Sequence, residues 1–182
     1  MKTPTLDLIE EHGGIMLMLS IMSKVSEKLN AGDEVKKEDL NKILEFLINF
    51  ADKCHHGKEE DMLFPELAKN PVNLEFVSEL IKEHKTGREY IKNISAAFEN
   101  YGQENSAARE MAENMEKYVQ LLTKHIAKEN GELFPIANKE LSNDTQKQMV
   151  EQFEKFEEDV IGAGKHEEYH KWLEELKKNY LD

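Results

Sequence analysis

Four long stretches of this sequence repeat apolar residues at alternating spacings of three and four. They run over about residues 5–30, 37–67, 73–100 and 105–136. This spacing places the apolar side chains on one face of an α-helix. The short segments between the stretches contain glycine, asparagine, aspartate and proline, which favour turns. Long amphipathic helices joined by short turns predict an all-α protein built around an up-down-up-down four-helix bundle.

The C-terminal part of the chain follows a different pattern. Ser142 is suited to cap a helix, the Gly162-Ala163-Gly164 break ends that helix, and a second amphipathic stretch follows. We therefore expect the bundle in residues 1–140 and a C-terminal helical extension, packed on the bundle, in residues 141–182.

Composition narrows the class of protein. With 24 basic and 37 acidic residues the formal charge is -13, which argues against binding to nucleic acid or anionic membranes. No apolar run approaches the ~20 residues that a membrane helix needs, so no membrane span is expected. A single cysteine, Cys54, fits a reducing compartment, and the expected location is cytoplasmic. Seven histidines beside one cysteine suggest metal sites made of histidine and carboxylate.

One histidine lies in the inward stripe of each long helix: His12, His55, His84 and His125. The midpoints between successive members of this set fall at 33.5, 69.5 and 104.5, in or at the three predicted turns. Residues equidistant from a turn lie at the same height in adjacent antiparallel helices. The four histidines are therefore predicted to form one layer deep inside the bundle.

An eleven-residue motif occurs twice, in residues 55–65 and 70 positions later in residues 125–135. Both copies have His, Lys, Glu, Leu, Phe and Pro at the same places. The repeat identifies His55 as the inward histidine and Glu59 as the inward carboxylate. Its neighbour His56 is predicted to face the helix flank or solvent.

The His-x-x-x-Glu spacing of the motif puts both side chains on one helix face, where they can reach a common ion. Four imidazoles and two carboxylates can hold two transition-metal ions, and these donors suit iron or manganese better than a thiolate-selecting metal. Ferritin-like bundles use the reverse order, Glu-x-x-His, and are the wrong template. The competing interpretation is a structural bundle with hydrogen-bonded core histidines, but burying two anions without a metal has a large desolvation cost.

The sequence resembles the hemerythrin-like (HHE cation-binding) family, of the four-His/two-Glu type, over residues 5–138. The resemblance depends on Glu11-His12, on the two His-x-x-x-Glu repeats with their Leu-Phe-Pro ends, and on Glu83-His84. It implies two iron ions in an oxo- or hydroxo-bridged di-iron centre, which reacts with O2, NO or H2O2. The implied ligands are His12, His55, Glu59, His84, His125 and Glu129.

The resemblance leaves the activity open. Oxygen-carrying hemerythrins have a further histidine where this sequence has Arg88. Six ligands leave more exchangeable positions than seven, which favours turnover or sensing over reversible oxygen carriage. Iron storage or donation, as in iron-centre repair proteins, is the alternative. An enzyme of this kind would be a di-iron oxidoreductase that reacts with O2 or peroxide.

Several residues near the predicted layer have two interpretations. Tyr118 is either a core residue or a hydrogen-bond donor to the centre. In the C-terminal extension, His166 or Glu167 is a candidate to fold over the bundle and supply or gate a ligand position. Lys58 and Lys128 recur in both repeats and are predicted to lie on solvated helix flanks.

Overall fold

A computed structural model describes residues 2–104 and 106–182, and all regular elements within these ranges are helical. The all-α prediction is confirmed. Four elements are uninterrupted helices: α1 (Pro4–Ala31), α3 (Leu74–Glu99), α5 (Asn143–Val160) and α6 (Lys165–Tyr180). The other two, α2 over residues 37–67 and α4 over residues 107–140, each contain wider π-helical turns. Helix α4 runs four residues past its predicted end at 136, and its predicted start at residue 105 lies outside the described residues.

The π-helical turns lie at corresponding places in α2 and α4. Helix α2 comprises Lys37–Glu45, π-helical Phe46–His56 and Glu59–Leu63, and Phe64–Leu67. Helix α4 comprises Ala107–Lys128, π-helical Glu129–Leu133 and Phe134–Glu140. The widened turn that the two helices share therefore begins at the glutamate of each repeated motif.

A proline explains the widened turn in each motif. The Phe64 N–H donates to the Glu59 carbonyl, and the Phe134 N–H donates to the Glu129 carbonyl, five residues back in both cases. The next residue in each copy is a proline, which has no N–H and crowds the carbonyl four residues earlier. A π-turn relieves this crowding without breaking the helix. The Leu-Phe-Pro ends of the motif therefore have a structural role.

The buried apolar side chains form two clusters, and the histidine layer separates them. On α1, Leu8 belongs to the smaller cluster and Ile15 to the larger one, with His12 between them. On α4, Leu122 and Leu133 divide in the same way around the histidine of that helix. The fold therefore holds a polar layer between two hydrophobic cores.

The C-terminal helices pack on α1 and α2 and contribute to both clusters. Phe153 of α5 is fully buried in the smaller cluster, while Tyr169 and Leu173 of α6 lie in the larger one. At the far end, the Tyr180 hydroxyl donates to Asp39 of α2 over 2.7 Å. The domain boundary at residue 140 stays a prediction, since these helices share their apolar contacts with the bundle.

The turn that separates α5 from α6 has the conformation expected of its glycines. Gly162 and Gly164 have φ values of 88° and 79°, in the left-handed region that favours glycine. At the start of α5, the Ser142 hydroxyl accepts a hydrogen bond from the Thr145 N–H over 3.1 Å. In the described part of the chain, no helix is both long and apolar enough to cross a membrane.

Truncation of Phe153 tests the packing of the extension. We expect Phe153→Ala to lower the free energy of unfolding by about 3–5 kcal/mol, because a fully buried ring is removed and a cavity is left. Leu181→Ala, at a residue that is 36% exposed, is the control and should have little effect. Urea unfolding measures both, and equal values for the two variants would show that the extension does not contribute to the core.

Candidate metal centre

The structure brings all six predicted ligands together in the polar layer. Side-chain donor atoms converge in two overlapping groups, within 4.8 Å of one another in each: His12, His55, Glu59 and Glu129; and His56, Glu59, His84 and His125. Every member of both groups is at most 2% exposed. Their role as metal ligands stays a prediction.

The two carboxylates lie between the groups. One oxygen of Glu59 lies 3.5 Å from His55 Nε2, and its other oxygen lies 3.5 Å from His84 Nε2. The oxygens of Glu129 lie 3.2 Å from His12 Nε2 and 3.0 Å from His125 Nε2. Each carboxylate therefore directs one oxygen toward each group, which is the arrangement needed to bridge two ions.

All five imidazoles are anchored in the same way, with Nδ1 directed outward to an oxygen acceptor. The pairs are His12 with Asn130 (2.8 Å), His55 with Glu11 (2.8 Å), His56 with Asp52 (3.3 Å), His84 with Glu60 (2.7 Å) and His125 with Glu83 (2.8 Å). A hydrogen bond from Nδ1 fixes the tautomer and leaves the Nε2 lone pair free to bind a metal. The outer partners therefore orient the rings toward the centre.

Several of the described polar atoms that face into the layer lack a hydrogen-bond partner. Among the described residues, six buried side-chain atoms have no hydrogen-bond partner, and five of them are His12 Nε2 and the four oxygens of Glu59 and Glu129. Buried polar atoms are rarely left unpaired. The Nε2 atoms of His84 and His125 lie 2.9 Å apart, and two donors at right angles on one ion are separated by about 3 Å. The residues present therefore fit a pair of metal ions.

Charges within the layer interact strongly. Burial and the negative charge of Glu129 raise the pKa of Glu59 well above its usual range. Burial opposes protonation of His125, but Glu129 and Glu83 outweigh it and raise its pKa to about 9. Bound cations would remove the repulsion between the two carboxylates.

Three basic side chains contact the carboxylates that anchor the imidazoles. Arg88 donates from Nε to Asp52 over 2.8 Å and from Nη2 to Glu60 over 2.9 Å. Lys58 and Lys128 each donate to the glutamate that anchors the repeat histidine of their own helix, Glu11 and Glu83, over 2.5 Å. Four of the five imidazoles are thus held by carboxylates that are themselves held by cations, and His12 is held by the amide of Asn130.

The prediction that Lys58 is solvated is wrong. Its side chain is fully buried, and its ammonium group also lies 3.1 Å from Glu157 of α5, which covers it. Burial opposes the shift, but His55 and Lys58 hold the pKa of Glu11 at about 2. A third cluster of potential donor atoms contains Glu11, Glu157 and Cys54, and the Lys58 ammonium group contacts both of its glutamates. Burial raises the pKa of the Cys54 thiol to about 12, so it stays protonated.

The prediction that His56 faces the flank or solvent is also wrong. The residue is only 2% exposed, and its ring stacks on that of His84 at 3.8 Å. It ends the π-helical segment Phe46–His56, where more residues per turn mean a smaller rotation per residue. Two consecutive histidines therefore point inward, one to each group. The second repeat has Ile126 at the equivalent place, so alignment of the repeats gives no signal for His56.

The other candidates lie outside both groups. The Tyr118 hydroxyl is buried without a hydrogen-bond partner among the described residues, and burial raises its pKa. The His166 ring packs 5.3 Å from that of Phe50 and helps to line a cavity of about 390 Å³ that reaches Glu11. Glu167 is exposed on α6.

A four-helix bundle with a buried layer of histidines and carboxylates is the architecture of a helical metal-binding protein. Residues 3–137, which are most of the chain, match the protein family described as "Hemerythrin HHE cation binding domain". The protein belongs to the hemerythrin HHE cation-binding family.

Curated relatives come from mycobacteria. Proteins described as uncharacterized, from Mycobacterium bovis and two strains of Mycobacterium tuberculosis, are each 28% identical over 149 residues. The aligned region covers 81% of this chain and 58% of each relative, so the chain spans little more than half of their length. No solved structure matches the chain significantly.

The two repeat lysines provide a matched test of burial. We expect Lys58→Met to lower the free energy of unfolding by about 3–5 kcal/mol, because three carboxylates around a fully buried site lose their cation. Lys128→Met, at a side chain that is 31% exposed, should cost only about 0–1 kcal/mol. Urea unfolding of both variants measures the difference, and equal losses would contradict the burial of Lys58.

The raised pKa of His125 predicts proton release on metal binding. Because this pKa is about 9, the imidazole is protonated at pH 7 in the metal-free protein and must lose its proton to become a ligand. Metal affinity should therefore fall as pH falls below this value. We expect loading with Co2+ to release roughly one or more protons per chain at pH 7, measured with an indicator dye in weak buffer.

The control for proton release is His170→Gln, at an exposed histidine of α6. It should release the same number of protons as the unaltered protein, whereas His125→Gln should release fewer. Loading without acidification would contradict the assignment of His125 as a protonated ligand precursor.

Proposed function

We propose that this protein binds two iron ions in the polar layer and reacts there with a small ligand such as O2, NO or H2O2. One observation carries the proposal: buried imidazole and carboxylate donors converge in two groups that share Glu59, with all imidazoles anchored through Nδ1. Anchoring of this kind is typical of metal-ligating histidines. Without cations the same arrangement buries two adjacent carboxylates at a large cost.

The donor set supports iron. Both groups consist of imidazole and carboxylate donors, which suit iron and manganese, and the buried Cys54 belongs to neither group. The cation-binding family of the chain is consistent with this choice. Manganese stays the alternative metal.

The iron pair, when bound, supplies redox electrons and exchangeable coordination positions for the small ligand. The chain supplies an apolar wall on one side of the layer. The Phe64 ring stacks 5.6 Å from that of His84, and the Phe134 ring stacks 5.5 Å from that of His12. Both phenylalanines are at most 1% exposed, and they exclude water from one side of the layer. Electrostatic interactions are stronger in such a dry site than in water.

The ligand count no longer separates turnover from reversible carriage. The six predicted ligands favoured turnover, because they leave more exchangeable positions than seven. The inward orientation of His56 adds a seventh donor and removes that argument. Both outcomes therefore belong to the proposal, and the reversibility of ligand binding decides between them.

Iron storage or donation is the second candidate. The donors are at most 2% exposed, so release of iron requires the bundle to open. This burial supports a retained centre over a donor. Three other expectations stay predictions: a cytoplasmic location, no binding to nucleic acid and no binding to membranes. The net charge of -13 supports the last two.

Anaerobic reconstitution with ferrous iron tests the function. We expect two irons per chain, as the two groups of donors indicate, and distinct optical changes on separate addition of O2, NO and H2O2. Recovery of the starting spectrum when O2 is removed indicates reversible binding, and consumption of peroxide indicates turnover. Chelator-labile iron with no spectral response to any of the three ligands would favour storage and contradict the proposal.

Glu59→Gln and Glu132→Gln form a matched pair for this experiment. Glu132 lies in the π-turn of the second repeat but is exposed. We expect Glu59→Gln to lower bound iron and to raise the melting temperature of the metal-free protein at neutral pH, because glutamine, unlike Glu59, need not take up a proton to be buried beside Glu129. Glu132→Gln should change neither quantity. A structural bundle without metal would show no iron loss in either variant.

A further inference from the structure

Among the donors that lie within the two repeats, His56 is the one without a counterpart in the other copy. The two repeats are related by an offset of 70 positions, and this relation extends to the outer anchors: Glu60 accepts from His84, and Asn130 accepts from His12. His56 has no counterpart, because Ile126 occupies the equivalent place. One half of the layer therefore contains an additional imidazole.

His56 shares its burial and its type of Nδ1 partner with the other inward imidazoles, but its ring lies nearly parallel to that of His84, whereas the pairs His12–His55 and His84–His125 are tilted by 55° and 62°. Its Nδ1 lies 3.3 Å from Asp52, and one of its ring nitrogens lies within 4.8 Å of the donor atoms of Glu59, His84 and His125. Its ring stacks on the ring of His84 at an interplanar angle of 16°. A ring held through Nδ1 leaves Nε2 as the inward donor.

Arg88 fixes the rings of His56 and His84 together. Its guanidinium donates to Asp52 and to Glu60, the two carboxylates that anchor these histidines. This Asp52–Arg88 clamp uses separate guanidinium nitrogens for Asp52 and Glu60, so Arg88 fixes the orientation of both carboxylates as well as offsetting their charge. No equivalent cation clamps Asn130, whose amide anchors His12, within the described residues.

We propose that His56 is a fifth imidazole ligand of the iron pair, supplied by α2 and oriented by the Asp52–Arg88 clamp. The proposal rests on the di-iron function above. One ion is then held by three imidazoles, those of His56, His84 and His125, and the other by two.

The outer anchors increase the difference between the two ions. The three imidazoles are backed by the carboxylates of Asp52, Glu60 and Glu83, which raise ligand basicity. The other pair is backed by one carboxylate, Glu11, and by the neutral amide of Asn130. The ion with three imidazoles is therefore retained longer, and the other ion is lost first to a chelator.

Chelator competition tests the unequal positions. Iron-loaded protein is mixed anaerobically with excess ferrous chelator, and Mössbauer spectra are recorded before and during release. We expect two iron signals and two release phases in the unaltered protein. In His56→Ala the slow phase should accelerate by about 10–100-fold and the signal of its ion should change. His166→Ala, which removes a half-buried histidine outside both groups, should leave both phases unchanged.

A second variant separates ligation from packing. His56→Phe keeps a ring of similar shape on His84 but has no donor atom, so its slow phase should accelerate as in His56→Ala. Retention of the slow phase and of both iron signals in His56→Phe would show that His56 acts through packing only, and would overturn the proposal. Urea unfolding of each metal-free variant shows which ones are folded.

Relocation of the imidazole gives a rescue test. Residue 88 follows His84 by one turn of α3, and the Arg88 side chain already contacts Asp52, so a histidine there starts beside the same anchor. In the His56→Ala background, Arg88→His should slow iron release relative to Arg88→Gln, which also loses the contacts to Asp52 and Glu60 but adds no imidazole, and equal rates would contradict the assigned coordination position. If the unaltered protein itself fails to bind two irons, the di-iron function fails; if it binds them and His56→Phe behaves identically, only the present inference fails.

Discussion

The burial of Glu59 and Glu129 side by side between two hydrophobic clusters is the constraint on which the rest of this fold depends. Two carboxylates in an apolar interior repel each other, and only protons or cations make such an arrangement stable. The imidazoles turn their Nε2 atoms toward these carboxylates, and the outer acceptors hold each ring in that orientation. The four helices thus assemble around a polar layer whose charge is completed by metal ions.

A chain of polar contacts extends outward from the imidazole rings of this layer. Imidazoles are held by four carboxylates and by one amide, and all four carboxylates are held in turn by Lys58, Arg88 or Lys128. The C-terminal helices join this network through Glu157, which contacts Lys58. A change in how α5 packs is therefore transmitted through Lys58 and Glu11 to a ring of the centre. The extension is electrostatically connected to the site as well as attached to the bundle.

Much of this arrangement follows from the sequence, because it depends on helical spacing. The four helices, the turns and the layer of His12, His55, His84 and His125 were predictable from periodicity and from distances to the turns. His56 and Lys58 were not, for different reasons. The inward direction of His56 requires a π-helical segment, and rotation per residue cannot be derived from an α-helical pattern. The burial of Lys58 requires α5 to cover it, which is a tertiary contact that local sequence does not encode.

The internal repeat described above has an evolutionary consequence. A site made by two identical helical hairpins would have to be symmetric, so any substitution would alter both metal positions at once. With both hairpins in one chain, each half is free to diverge. His56 opposite Ile126, and Glu60 opposite Asn130, are such independent changes. Joining the halves thus allows the two groups of donors to diverge, as the unequal retention proposed above requires.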